Sequence, residues 1–484
     1  MKVSAYAPVQ RIVGVLLIFL SLGFLPPMLF ALFSDDGTLS AFSISLFIVA
    51  AVGVALYLPV RQSRRDLRIR DGFLVVVACW GAVCLAGAVP FVLAIDASVA
   101  DAVFESTSGI TTTGATVFTG LDEMPTSILW YRQQLQWMGG LGIIVLAVAI
   151  LPMLRIGGMQ VYKAEVTGPV KESRLTPRIA ETAKALWLIY IGLTVLCAAA
   201  YWAAGMSLFD AVGHSFSTIA TAGFSTHDAS IGHFDSALID WLVVFFIFVA
   251  SLNFGLHYLA LRRATAQVYL RDPELKLFVL LLLMISVVAT LLLWQQDVYA
   301  SFWDSLRHAV FQSVSYMTTT GFATAEVYTW PGTLPLLLLL ISAFGGCAGA
   351  TTGGFKIIRV YLLTKQGVRE LKRLVHPRAV VPLKLGGRTL NQEVANAVWG
   401  FVSLYILCVV VLTLVVSGIE RDLVTAVSVV FSSMNNLGPA LGQAGSNYGG
   451  LADATKWLMS FAMLLGRLEI FTILVLLTPA YWKH

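Results

Sequence analysis

Four stretches of this chain align without a gap when Gly114, Gly223, Gly321 and Gly438 are superposed: DAVFESTSGITTTGAT, DAVGHSFSTIATAGFS, HAVFQSVSYMTTTGFA and TAVSVVFSSMNNLGPA. Each carries Ala-Val at the same place (Ala102-Val103, Ala211-Val212, Ala309-Val310, Ala426-Val427), and each has a serine six residues before the glycine (Ser108, Ser217, Ser315, Ser432). Sixteen residues before the glycine stand Ser98, Ser207, Ser305 and Asp422, all residue types that cap helix N-termini. The glycines recur at intervals of 109, 98 and 117 residues, the mark of tandem structural units. Each unit reads as a capped helix of about three turns followed by a Thr/Ala/Gly-rich segment, too short and too polar to span a bilayer. It can still enter and leave a membrane by one face. Irregular backbone survives at that depth only where it is buried in protein or lines a cavity. Four such segments around one axis predict a pore.

The rest of the chain supplies the membrane. Of 484 residues, 58% are hydrophobic and only 12% charged, against about a quarter charged in an ordinary soluble domain. Mean hydropathy is +0.81. Apolar spans fall near 12–33, 40–60, 73–95, 128–154, 180–204, 236–261, 276–294, 333–363, 395–418 and 456–480, ten in all. The first follows Lys2 and Arg11 but is longer than a signal-peptide core and lacks a cleavage site, so it is expected to stay as a helix. The net charge of +5 sits in four loops between spans: Arg61, Arg64, Arg65, Arg68 and Arg70; Arg155, Lys163, Lys171, Arg174 and Arg178; Arg262, Arg263, Arg271 and Lys276; and Lys365, Arg369, Lys372, Arg373, Arg378, Lys384 and Arg388. Alternate loops carry acids, Asp122 and Asp228 among them. That is the positive-inside pattern, with both termini in the cytoplasm, and it explains the basic balance without a nucleic-acid partner. Arg132, Arg307, Arg421 and Lys456 are isolated exceptions on the outer side. The five cysteines lie in or beside apolar spans without metal-ligand spacing and read as small membrane-buried residues. No zinc-hydrolase, phosphate-loop, dinucleotide or nucleophile-elbow motif is present, so no enzyme is expected and no organic cofactor.

The pore chemistry follows from residue type. A potassium ion must exchange water for other oxygens in a narrow filter, and backbone carbonyls can supply them. Glycine permits the dihedrals that such carbonyls require. The short helices point their C-termini at the filter, where the helix dipole favours a cation. Glu105, His214 and Gln312 share the column nine residues before the glycine and are expected to hydrogen-bond behind the filter. Asn253 and His257, one turn apart on a span, fit helix–helix hydrogen bonding better than a metal or proton role.

Two further features stand out. Five glycines interrupt the span at 333–363 within ten residues, at Gly345, Gly346, Gly349, Gly353 and Gly354, enough to break a helix. Arg467 lies inside the last span. There a charge costs roughly 2.5–3.5 kcal/mol on insertion scales, so it must face a cavity or find a partner. Glu469 is a poor partner within one helix, because residues two apart do not share a face.

With their flanking spans, these repeats resemble the Trk/Ktr/HKT superfamily of potassium transporters over essentially the whole chain, and most of all the membrane subunits of bacterial Trk systems. One filter glycine per repeat is that family's pattern, and the fourth loop, Asn435-Asn436-Leu437-Gly438-Pro439, departs from the other three as it does there. The resemblance implies an all-α polytopic membrane protein of four pseudo-symmetric helix–pore loop–helix repeats around one pore. The parts would be two extra N-terminal helices (1–71), then repeats at 72–178, 179–274, 275–392 and 393–484. It implies K+ as the transported ion, held by carbonyls at and just before each glycine: Thr112, Thr113 and Gly114; Thr221, Ala222 and Gly223; Thr319, Thr320 and Gly321; Asn436, Leu437 and Gly438. It further implies that 345–354 is an intramembrane gate loop with Arg467 beside it. The same resemblance implies a homodimer in the bacterial inner membrane and a cytosolic TrkA-like ring of nucleotide-binding subunits, for which the basic loop 365–393 is a docking candidate. A gated channel-like uptake subunit is the leading reading. A proton- or sodium-coupled symporter is the alternative, since broken helices occur there too.

Overall fold

The computed structural model describes residues 6–63, 68, 70–145, 175–379, 381–385, 388–389 and 392–483. Arg64, Arg65, Arg155, Lys163, Lys171 and Arg174 of the basic loops, and the end of the span at 128–154, lie outside the described residues. The fold is helical throughout, with one addition: a two-residue antiparallel pairing of Lys384–Leu385 with Arg388–Thr389.

Among the described residues six helices are long and apolar enough to cross a membrane, or eight if two sharply bent pairs each count as one. The expectation of ten continuous spans is therefore modified, for reasons that can be read residue by residue. The expected span at 236–261 is two helices, Ala237–Ala250 and Phe254–Arg263, meeting at 88°. The last is Asp453–Arg467 and Phe471–Leu477, meeting at 114°. The span at 333–363 is divided between Leu334–Ile341 and the helix Ile357–Val375, with the glycine-rich loop between them. Of the expected span at 128–154, Thr126–Val145 is described, and it carries Arg132, Gln133, Gln134 and Gln136.

Polarity is turned inside out. Leu283, Val287 and Leu291 of helix Pro273–Gln295, and Leu407, Val411 and Leu414 of helix Gln392–Glu420, are exposed, whereas Glu105, Arg132, Gln133, Gln136, His214 and Gln312 are buried. In a bilayer this places hydrocarbon against hydrocarbon and keeps polar groups where protein can satisfy them.

The four short helices are Val99–Ile110, Leu208–Ala220, Phe302–Met317 and Leu423–Asn435, hereafter pore helices 1 to 4. Ser98 accepts from Asp101 N at 3.1 Å, Ser207 from Asp210 N at 3.0 Å, and Asp422 from Val424 N and Thr425 N at 3.2 and 3.1 Å, so three caps stand where the repeat places them. The third does not. Pore helix 3 starts a turn earlier, capped by Ser301, which accepts from Asp304 N at 3.0 Å and donates to the Asp304 carboxylate at 2.7 Å. That reciprocal pairing displaces Ser305, which lies inside the helix and donates to Ser301 O.

Candidate ion pathway

Each pore helix ends in the same way. The residue two before the glycine sits in the left-handed region: Thr112 (φ 52°), Thr221 (51°), Thr319 (57°) and Asn436 (54°). Its N–H bonds three residues back, and the next N–H reaches the serine of the repeat: Thr113 N to Ser108 O (2.8 Å), Ala222 N to Ser217 O (3.0 Å), Thr320 N to Ser315 O (2.8 Å) and Leu437 N to Ser432 O (2.9 Å). This is a Schellman stop, and in all four loops it ends on the main-chain carbonyl of the serine column. Glycine or asparagine usually fills the left-handed site. Three threonines there store strain of roughly 1–3 kcal/mol each. Sequence reasoning assigned the unusual dihedrals to the glycines alone. The glycines also have positive φ, 81°, 83°, 84° and 98°, so every loop reverses hand twice within three residues.

The four loops close into a ring. A Cβ placed on Gly114 would strike Ala222 O, one on Gly223 would strike Thr320 O, one on Gly321 would strike Leu437 O, and one on Gly438 would strike Thr113 O. The contacts run from repeat 1 to 2, 2 to 3, 3 to 4 and back to 1. No side chain other than hydrogen fits at these positions without moving backbone. A cavity of about 400 Å³ above the ring is lined by all four glycines. The twelve filter candidates (Thr112, Thr113, Gly114; Thr221, Ala222, Gly223; Thr319, Thr320, Gly321; Asn436, Leu437, Gly438) thus come together around one axis.

Behind the ring, side chains hold the loops. Glu105 accepts from Arg132 Nε at 2.8 Å, Thr116 Oγ1 at 2.9 Å and Val117 N at 3.0 Å. His214 Nε2 meets Ser225 Oγ at 2.8 Å, and Gln312 Nε2 donates to Ala325 O at 3.4 Å. The shared column does bond to the outward limb of its own loop. Arg132 is not an isolated outer charge. It is 1% exposed, also donates to Ser225 O at 3.0 Å, and stacks on Phe224. Gln133 donates to Phe224 O at 3.0 Å; Gln136 donates to Ala222 O at 2.7 Å and accepts from Phe224 N at 3.1 Å. Helix Thr126–Val145 is therefore the scaffold of the second loop. The run Arg132-Gln133-Gln134-Leu135-Gln136 inside a span was the signal for it.

Below the ring lies the glycine-rich loop. Cys347 N donates to Ser251 O at 3.0 Å and Phe254 N to Gly349 O at 3.3 Å, so the loop fills the bend of the second repeat. Thr351 Oγ1 meets Thr221 Oγ1 at 3.0 Å, Gly353 N donates to Thr319 Oγ1 at 2.7 Å, and Gly354 N donates to Asn435 O at 3.1 Å. Two of the strained threonines are thus tied to this loop. Gly345 and Gly346 close the loop on itself against Gly353 O and Thr352. The buried Glu274 accepts from Ala348 N at 2.8 Å and Ile358 N at 3.0 Å. Lys356 reaches back into the loop, donating to Ala350 O, Thr352 O and Thr352 Oγ1. Its ammonium is surrounded by the kind of oxygens that would hold a potassium ion, a role its sequence position did not betray.

Arg467 ends helix Asp453–Arg467 and is 5% exposed, and its Nε and Nη2 have no hydrogen-bond partner among the described residues. Glu469 pairs instead with Arg359, which also stacks on Phe401. Asn253 and His257 are structural: Asn253 caps the second half of the bent pair through Gly255 N at 2.7 Å, and His257 bonds Tyr269 Oη and Val249 O.

Residues 38–484 match the family model described as TrkH, cation transport protein. The chain is 51% identical over 477 residues to the Trk system potassium uptake protein TrkH of Halomonas elongata, covering 98% of this chain and 99% of that one. It is 49% identical over 481 residues to TrkH of Escherichia coli K12, covering 99% and 100%. The crystal structure of the potassium transporter TrkH from Vibrio parahaemolyticus superposes with a TM-score of 0.92 at 49% identity, covering 99% of this chain and 100% of that one. A closed ring of four loops in an all-helical, multi-pass fold, with this degree of likeness over its whole length, makes the chain a member of the TrkH family of cation transport proteins, a family of transporters and not of enzymes.

Proposed function

We propose that the chain carries potassium into the bacterial cell across the inner membrane through a gated, channel-like pore. The ring of glycines, each against the carbonyl oxygen before the next repeat's glycine, carries this reading. It gathers main-chain oxygens of four loops at a neutral constriction, as potassium selection requires, and the relatives bear the name potassium uptake protein. Thr112, Thr113, Gly114 and their counterparts form the filter. The loop 345–354 is the gate, with Lys356 and Arg467 as fixed cations that raise the barrier to a mobile one while it is shut. Four loops around one axis favour this over a coupled symporter, whose site lies between two halves. Both termini are cytoplasmic. The exposed basic segment 371–378 offers acidic surfaces of a TrkA-like ring a place to dock, and two copies of the chain assemble.

Purified protein in liposomes tests the reading. Rubidium and potassium are expected to pass and sodium to lag, and the gate variants discussed below are expected to leak. Equal flux of all three ions would remove potassium selectivity, and a fixed stoichiometry with protons or sodium would restore the symporter.

A further inference from the structure

On the outer side the loops of repeats 1 and 2 meet. Asp122 stands in the turn Leu121–Glu123, His227 follows Gly223 by four residues, and His233 lies in the turn Ser230–Phe234. The two imidazoles stack face to face, centroids 3.5 Å apart and planes within 3°. Both present Nδ1 to one oxygen: Asp122 Oδ1 is 2.5 Å from His227 Nδ1 and 3.9 Å from His233 Nδ1. One donor atom from each of the three residues lies within 4.8 Å of the others.

Two imidazole nitrogens and a carboxylate oxygen within 4.8 Å of one another are the donor set of a three-ligand zinc site, with a fourth position left to water. The remaining nitrogen of His227 supplies an independent observation. Nε2 is buried without a hydrogen bond, yet lies 3.4 Å from Asp210 Oδ1. A carboxylate behind the ring is the arrangement that orients metal-bound histidines and raises their basicity. Asp210 is itself fixed, accepting from Ser207 Oγ at 2.6 Å and Thr226 Oγ1 at 2.7 Å. The facing loops are tied by Leu121 N to Asp228 Oδ2 at 3.0 Å. With the loops fixed, closing the three ligands takes side-chain rotation alone: the stacked rings tilt and the Asp122–His227 hydrogen bond opens to admit the ion.

We propose that Asp122, His227 and His233 bind a zinc-class divalent cation at the rim of the outer mouth, and that its occupancy slows potassium passage. His227 lines the cavity that touches all four glycines, so a bound dication sets positive charge beside the approach to the filter and staples two of its loops. The slowing rests on the pore reading given above, whereas the site does not.

Cobalt(II) is the probe for the site, since tetrahedral coordination by nitrogen and oxygen gives visible absorption. The full-length protein in detergent is expected to develop these bands and lose them to zinc. His233→Ala and Asp122→Asn are expected to weaken binding by about tenfold or more. No bands, or equal affinity in both variants, would overturn the site. External zinc is then expected to reduce rubidium flux into liposomes, with the variants needing a similarly higher concentration while their zinc-free flux stays normal. Binding without any change in flux would overturn the regulatory claim and leave the pore reading untouched. Loss of zinc-free flux in the unaltered protein would count against that reading and leave the site standing.

Discussion

A filter glycine here does two jobs that no other residue can combine. Its φ near +80° is open to glycine at little cost, and its missing Cβ lets the neighbouring loop's carbonyl come close. Gly321 shows both, since a Cβ would meet Leu437 O and the ring of Pro439. Gly321→Ser is therefore expected to push loops 3 and 4 apart. Widening a ring of oxygens weakens its match to potassium more than to hydrated sodium. Rubidium-over-sodium discrimination in liposomes should fall by about tenfold, which corresponds to about 1.4 kcal/mol, while the protein still inserts and folds. Discrimination unchanged by the serine would mean that the selective oxygens lie elsewhere. The glycines announced themselves in the sequence by their spacing. The threonines two residues earlier did not, because a β-branched residue at positive φ is the last choice propensity would make. Tertiary bonds, Thr351 Oγ1 to Thr221 Oγ1 and Gly353 N to Thr319 Oγ1, brace two of them there.

The element that packs beneath the ring of glycines is the loop 345–354. Its composition marks a break, but its partners are hidden, since hydrogen bonds to Ser251, Asn435 and Glu274 come from segments 74 to 96 residues away. For the same reason the 88° bend at Ser251–Asn253 was read as a continuous span: nothing in its apolar pattern shows that the loop needs room there. If the loop is the gate proposed above, three residues bear on how firmly it stays shut. Thr319→Val keeps the shape of the side chain and removes the acceptor for Gly353 N, leaving a buried N–H unsatisfied at about 1–3 kcal/mol. Unpartnered rubidium flux should rise by about fivefold or more. Lys356→Met withdraws the tethered ammonium from Ala350 O and Thr352 O, and Arg467→Ala removes a buried cation whose Nε and Nη2 find no hydrogen-bond acceptor. Each should raise basal flux, and the double variant should exceed either alone. If all three variants stay as tight as the parent, the loop is not the barrier.

Across the whole molecule, the parts legible in sequence are those governed by local rules: the repeat, three of its four caps, and the apolar spans that no loop interrupts. The parts that were not are those where one repeat supports the next. Arg132 belongs to the first repeat by position, yet it holds the second loop through Ser225 O and Phe224 and its own loop through Glu105. Charge counting took it for an outer-loop residue because a lone arginine carries no mark of its partner. The pair makes a distinct prediction for the assembly. Arg132→Met strands a carboxylate that is 0% exposed, and breaking a buried ion pair on one side costs about 3–5 kcal/mol. The protein should fail to reach a monodisperse state in detergent, or melt far below the parent. Glu105→Gln with Arg132→Met removes both charges and leaves an amide that can still accept from Val117 N. Much of the lost stability should return, because replacing a buried pair with neutral groups is often close to neutral. Ion discrimination should not return with it, since the second loop would lack the guanidinium that grips Ser225 O. A double variant that regained both stability and selectivity would show that Arg132 only neutralises Glu105. One that regained stability alone would show that neighbouring repeats hold each other's filter loops in register.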